Sequence, residues 1–222
     1  MLADVATQQA LGGNRIRSAL VAFGNLQYEE IDALLKDTED QAKLTAANAA
    51  YGRGLVAEDT IKWHDAYSHY KRAAELGQVL EHRKAHARMT WRLQLHAEAV
   101  PVQKTLTDET KAQFGPKSAE YAEQANNLAI IYKNAGRYAE AEPLYGEALE
   151  IGRDVLGGRH PEYATWLNNL AGLLQATGRY EEAEPLYREA LDVFEAALGA
   201  EHPNTQTVRE NLEGFLKERA AE

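Results

Sequence analysis

The 222-residue chain contains no cysteine. That excludes disulfides, thiolate metal sites and cysteine nucleophiles, while leaving the redox compartment open. It also lacks an excess of basic residues: 24 Lys and Arg face 34 Asp and Glu, a net charge of −10. General nucleic-acid binding is not expected, because neutralising phosphates requires a surplus of cations. No apolar run approaches the roughly 20 residues needed to span a bilayer. Met1 to Ala10 shows no basic stretch followed by an apolar core, so no signal peptide is expected. These absences predict a cytoplasmic protein without membrane insertion. Serine is scarce, with only Ser18, Ser68 and Ser118, and none of the three sits in a nucleophile elbow. No glycine loop of the phosphate-cradling type is present. We therefore expect neither catalysis nor a cofactor.

What the chain has is repetition. A slide of 42 residues lays Glu120–Gly157 over Glu162–Gly199 without a gap, with 21 identities in 38 positions. Asn126-Asn127-Leu128-Ala129 returns as Asn168-Asn169-Leu170-Ala171, and Gly136-Arg137-Tyr138 as Gly178-Arg179-Tyr180. Glu140-Ala141-Glu142-Pro143-Leu144-Tyr145 returns as Glu182-Ala183-Glu184-Pro185-Leu186-Tyr187. Downstream, His160-Pro161 becomes His202-Pro203. Upstream the pattern decays, although Trp63, Ala66, Tyr70 and Ala73 keep the spacing of Tyr138, Ala141, Tyr145 and Ala148. Tyr28 can open a still weaker hairpin.

Each unit reads as two helices. Ala125, Leu128, Ala129 and Tyr132 form an i, i+3, i+4, i+7 stripe, and Gly136 supplies the left-handed turn that ends a helix. Tyr138, Ala141, Leu144, Tyr145, Ala148 and Leu149 mark the second helix. Pro143 predicts either a helix start close to Glu140 or a kink. His160-Pro161 and His202-Pro203 suit a cap followed by proline at a helix start. Ala129, Ala141 and Ala148 are small where two helices would cross closely, with Leu128, Tyr132 and Tyr145 filling the spaces between. A single hairpin cannot bury both faces, so neighbouring hairpins must stack.

Ala129, Gly136, Tyr138, Ala141, Tyr145 and Ala148, repeated as Ala171, Gly178, Tyr180, Ala183, Tyr187 and Ala190, resemble the tetratricopeptide repeat (TPR) family. The 42-residue length, the Asn-Asn-Leu-Ala and Gly-Arg-Tyr motifs and the His-Pro linker resemble its kinesin-light-chain-like subclass, which also occurs in bacterial proteins. The match is specific over residues 94–216, looser over 44–93 and weakest over 1–43. His86 and Arg53 depart from it, both standing where Leu128 stands. The resemblance implies an all-α, right-handed superhelix of about four to five helical hairpins plus a C-terminal capping helix. Its expected divisions are 1–43, a degenerate N-terminal region; 44–77, a TPR-like hairpin; 78–117, a degenerate repeat; 118–159 and 160–201, two full repeats; and 202–222, the cap. In that last segment Arg209 and Glu213 replace Leu167 and Ala171, as a polar outer face requires. A cut from a longer array is the alternative.

The resemblance further implies that first helices line a concave groove holding a peptide or protein segment. Asn127, Asn169 and Asn211 recur at one position of three successive first helices. Their amides can donate to and accept from a peptide backbone, and Asn134 joins them as a candidate groove residue. The alternative is that these asparagines stitch each first helix to its neighbour. Lys84 and Arg88, four residues apart and so on one helix face, resemble a clamp for an acidic or carboxylate-bearing ligand. A merely solvated basic stretch is the other reading. His82 and His86 have the spacing of a metal pair, but the surrounding cations Arg83, Lys84 and Arg88 argue against a metal. Glu140, Glu142, Glu147 and their copies Glu182, Glu184 and Glu189 read as a solvated convex face. The function expected is a non-catalytic protein–protein interaction module. A self-associating scaffold and a regulatory segment of a larger signalling protein are the alternatives.

Overall fold

The computed structural model describes residues 28–220, so the Ser18 region and most of the predicted N-terminal segment 1–43 lie outside the described residues. Every regular element among those residues is a helix. In chain order they are α1 (Tyr28–Asp59), α2 (Trp63–Leu76), α3 (Leu80–Arg92), α4 (His96–Phe114) and α5 (Ala119–Asn134), then α6 (Tyr138–Val155), α7 (Pro161–Ala176), α8 (Tyr180–Leu198) and α9 (Pro203–Arg219). The chain forms two compact units, one ending at Met89 and one beginning at Thr90.

In the unit ending at Met89, α1 runs unbroken for 32 residues and its C-terminal half packs on α2. Gly54 makes the close approach possible, since a Cβ there would lie 2.4 Å from the Tyr70 ring. Gly54 stands where Ala129 stands in the 42-residue repeats, the small partner at a helix crossing.

The unit from Thr90 is a stack of hairpins, α5 on α6 and α7 on α8, with α4 packed against α5 and α9 against α8. Each hairpin has two apolar clusters, and each cluster is closed by the next first helix. Tyr121, Ala122, Ala125, Ala148 and Ile151 are closed by Trp166, and Leu128, Ala129, Tyr132, Ala141 and Tyr145 by Leu173. One hairpin later, Val208 joins Tyr163, Leu167, Ala190 and Phe194, while Leu212 and Phe215 join Ala171, Leu174, Ala183 and Tyr187. The small residues expected at crossings, Ala129, Ala141, Ala148, Ala171, Ala183 and Ala190, have no exposed surface. The helix α6 begins at Tyr138, two residues earlier than Glu140, which leaves Pro143 exposed in the second turn.

All four turns from a first to a second helix close the same way. The amide of the third residue past the helix reaches back five positions, and that of the residue before it reaches back three, which is the Schellman pattern. The pairs are Lys62 to Ala57 (2.8 Å), Leu95 to Thr90 (3.0 Å), Arg137 to Tyr132 (2.9 Å) and Arg179 to Leu174 (2.8 Å). The pattern needs one left-handed residue. Gly136 and Gly178 supply it at φ 72° and 74°, but Ile61 and Gln94 take it at φ 60° and 54°. For a β-branched side chain this is an outlier costing roughly 1–2 kcal/mol. Ile61 is largely exposed, so Ile61→Gly removes strain without opening a cavity. We expect a gain of about 1 kcal/mol after the extra entropy of glycine in the unfolded chain. Urea unfolding checks this, and a loss of stability in Ile61→Gly would show that the turn is unstrained.

Candidate binding surface

The first helices α5, α7 and α9 carry the repeated asparagines on one side, and the structure gives these residues a specific pairing. Asn169 Nδ2 donates to Asn126 Oδ1 of the preceding unit at 3.1 Å. Asn211 Nδ2 donates to Asn168 Oδ1, also at 3.1 Å. The second asparagine of each doublet thus bonds the first asparagine one repeat earlier. Asn126 is buried, whereas Asn169 is half-buried and Asn211 exposed. The ladder satisfies a buried amide that would otherwise be costly and fixes the spacing of successive first helices. The expected stitching therefore exists at Asn169 and Asn211. One face of each amide group remains for solvent or a ligand, since every Asn side chain offers two donors and two acceptor sites. Asn127 is half-buried and Asn134 exposed.

Lys84 and Arg88 lie in the other unit. Lys84 pairs with Glu81 at 3.2 Å. Arg88 donates to Glu58 Oε2 at 2.7 Å, and the same oxygen accepts the Tyr70 hydroxyl at 2.6 Å. Both cations thus already have carboxylate partners within the chain. His82 and His86 are buried. The His82 ring stacks on Tyr51 with centroids 4.8 Å apart, and His86 meets Tyr67 at 5.5 Å. Burial lowers the His82 pKa, which disfavours the imidazolium. His160 and His202 are caps: each Nδ1 accepts the amide two residues on, at 3.2 Å.

Glu140, Glu182 and Glu189 are exposed as expected, but Glu142, Glu147 and Glu184 are half-buried and bonded, a correction to the merely solvated face. Glu147 Oε2 accepts the Tyr121 hydroxyl at 2.8 Å within the α5–α6 hairpin and pairs with Lys111 of α4 at 3.4 Å, and Glu142 pairs with Arg179 at 2.6 Å, so both tie the hairpin to another element. Glu184 bonds Arg188 at 2.7 Å and also Arg219. Such half-exposed pairs contribute little energy singly, on the order of 0–1 kcal/mol. Two of them, Glu142 with Arg179 and Glu184 with Arg219, link one second helix to a later part of the stack.

Reading from the sequence missed Lys133. It occupies the last turn of α5, where its copy one repeat later is Gln175. Its half-buried ammonium lies 2.8 Å from where a Cβ on Gly172 of α7 would sit, and burial lowers its pKa. The signal was present in the aligned repeats as a cation in place of an amide.

Stacked helix pairs, with small residues at the crossings and an amide ladder along the first helices, define an α-helical repeat protein. Residues 121–196 and 163–213 match the tetratricopeptide repeat family model. Residues 121–213 thus carry tetratricopeptide repeats. No protein of curated function matches it in sequence. Among solved structures it is similar to BtubC (BKLC) from P. vanneervenii, at TM-score 0.65 and 18% identity over 96% of this chain and 83% of that one. The kinesin light chain TPR-like repeats of Podosopora anserina align at TM-score 0.63 and 17% identity, covering 78% and 87% of the two chains. YrrB, a TPR protein with an unusual peptide-binding site, aligns at 0.56 and 16%, covering 88% and 90%. At these identities the likeness establishes the fold. No described helix is long and apolar enough to cross a membrane.

Proposed function

We propose that the chain is a non-catalytic interaction module that holds an extended peptide or protein segment along its first helices. The observation that carries this reading is the asparagine ladder. It places amides at regular spacing on half-buried to exposed positions, where backbone groups of an extended chain can be read one repeat at a time. The TPR fold supports it, as does the peptide-binding site of YrrB, a structural neighbour. Asn127, Asn134, Asn169 and Asn211 are the contacts assigned in the unit from Thr90, with Lys84 and Arg88 as basic contacts in the other. Because Lys84 and Arg88 already have acidic partners, a ligand carboxylate would have to displace Glu81 or Glu58 to use them.

The ladder separates binding from stability. Asn169 and Asn211 carry inter-helix bonds, so their substitution mixes both effects. Asn127 and Asn134 have no hydrogen-bond partner among the described side chains, and they give the clean test. Peptides selected from a random library on the whole chain serve as ligands. Asn127→Ala with Asn134→Ala should weaken their binding by about 1 kcal/mol for each lost hydrogen bond, read by calorimetric titration, with the melting temperature unchanged. Unchanged affinity would remove these positions from the binding surface.

A further inference from the structure

We infer that Lys133 is a modification site, at which an acetyl group from an activated acyl donor turns a charged donor into the neutral hydrogen-bond acceptor that this position of the repeat calls for. The inference stands on packing between residues of the chain and is independent of the peptide reading above.

What the position calls for is set by the other hairpins. Tyr70, Tyr145 and Tyr187 occupy one equivalent point of three second helices. Tyr70 donates to Glu58 at 2.6 Å and Tyr187 to Gln175 at 2.9 Å, in each case twelve residues earlier. Lys133 stands twelve residues before Tyr145, and an ammonium only donates. The Tyr145 side chain has no exposed surface, and its hydroxyl has no hydrogen-bond partner among the described residues. A buried hydroxyl in that state is destabilising, and such an exception calls for a reason.

An Nε-acetyl amide has the carbonyl oxygen that Gln175 has, and it has no charge. Neutrality matters here. Glu58 carries its charge beside Arg88, at 2.7 Å. Lys133 is half-buried, and burial lowers its pKa by disfavouring the ammonium. Acetylation removes that penalty and adds the missing acceptor, so both effects favour the modified state.

The amine is also placed to react. A Cβ at residue 172 would stand 2.8 Å from Nζ, so Gly172 leaves that side of the amine uncrowded. Lys43 and Lys104 bind Glu39 at 2.6 Å and Asp108 at 2.7 Å, and these carboxylates hold the proton on the amine. No carboxylate among the described residues pairs with Lys133. A desolvated lysine offers more of the neutral amine, which is the nucleophile in acyl transfer. In the reaction the ammonium loses a proton to water, and the amine attacks the carbonyl carbon of an acetyl phosphate or acetyl thioester. A C–N bond forms, the bond from that carbon to phosphate oxygen or thiol sulfur breaks, and the next amine proton leaves with the departing group.

The test incubates the whole chain with acetyl phosphate and, separately, with an acetyl thioester, and follows each lysine by peptide mass spectrometry. In at least one arm Lys133 should react about five-fold or more faster than Lys43 and Lys104, and that arm identifies the donor. The preference should vanish in urea. In a second experiment Nε-acetyl-lysine is encoded in place of Lys133. This chain should melt about 2–4 °C above wild type, the shift for one recovered hydrogen bond in a chain of this size. Lys133→Gln should also melt higher, whereas Lys133→Arg should not. Tyr145→Phe should itself melt no lower than wild type, since its hydroxyl has no bond to lose. In that background the gain from acetylation should shrink by about half or more. Acetylation of Lys133 no faster than of Lys104 in both arms overturns the inference. So does an acetylated chain that melts no higher than wild type, or a gain that survives Tyr145→Phe undiminished.

Discussion

Trp166→Ala is expected to destabilise the protein by about 3–5 kcal/mol, the range for truncating a large aromatic in a core. Trp166 is 2% exposed and closes the lower cluster of the α5–α6 hairpin from the next first helix. It fits because its neighbour has no side chain: a Cβ on Gly152 would lie 2.4 Å from Trp166 Cζ3. The two positions are therefore coupled, and the coupling can be measured. In wild type, Gly152→Ala should destabilise by about 1–3 kcal/mol through overpacking. In the Trp166→Ala background the same change should become stabilising, by up to about 1 kcal/mol, because the clash is gone and alanine is the better helix former. Urea unfolding of the four variants gives the interaction energy directly. If Gly152→Ala stabilised both backgrounds equally, the packing of the ring against that glycine would be wrong.

Ala141→Leu is expected to cost about 1–3 kcal/mol. Ala141 has no exposed surface and sits among Leu128, Ala129, Tyr132, Tyr145 and Leu173, contributed by three helices. A leucine must push one of them off its rotamer. Ala183 repeats the arrangement in the next hairpin and should respond alike. The control lies in the same helix: nothing is within 4 Å of where a Cβ on Gly146 would stand, so Gly146→Ala should gain up to about 1 kcal/mol from helix propensity alone. Thermal or urea melts that ranked Ala141→Leu as the milder change would contradict the assignment of the crossing face.

The repeat unit was legible because it is periodic in one dimension. Glycine before tyrosine, alanine at each crossing and proline after the capping histidine are local requirements of turns and close approach, so they leave their mark at fixed spacing. Ile61 and Gln94 show the limit of that logic. The turn geometry persists at both places after its glycine is lost, since stacking outweighs a strain of roughly 1–2 kcal/mol. The repeated asparagines were legible as a pattern but ambiguous in role. Their periodicity fits groove contact and helix stitching equally, and a bond between residues 43 apart is invisible to any single-helix argument.

The glutamates of the second helices misled for a related reason. Charged residues on an exposed stripe read as solvated, but packing brings Lys111 to Glu147 and Arg179 to Glu142. Lys133 is the reverse case. A lysine near a helix end is unremarkable in a sequence, and only the structure shows its half-buried ammonium against a glycine one hairpin away.

Sequence alone thus determined the helix pairs, their length, their turns and the small residues at their crossings, because each depends on contacts within one repeat or on backbone geometry. Only the tertiary structure decided which large residue meets which small one between repeats, as Trp166 meets Gly152. It also decided which polar groups find partners there, with Asn169 bonded to Asn126 and the Tyr145 hydroxyl left alone. Those outcomes depend on the side chains that stacking brings together from different repeats, where a substitution in one repeat is answered by a residue roughly 15 to 45 positions away.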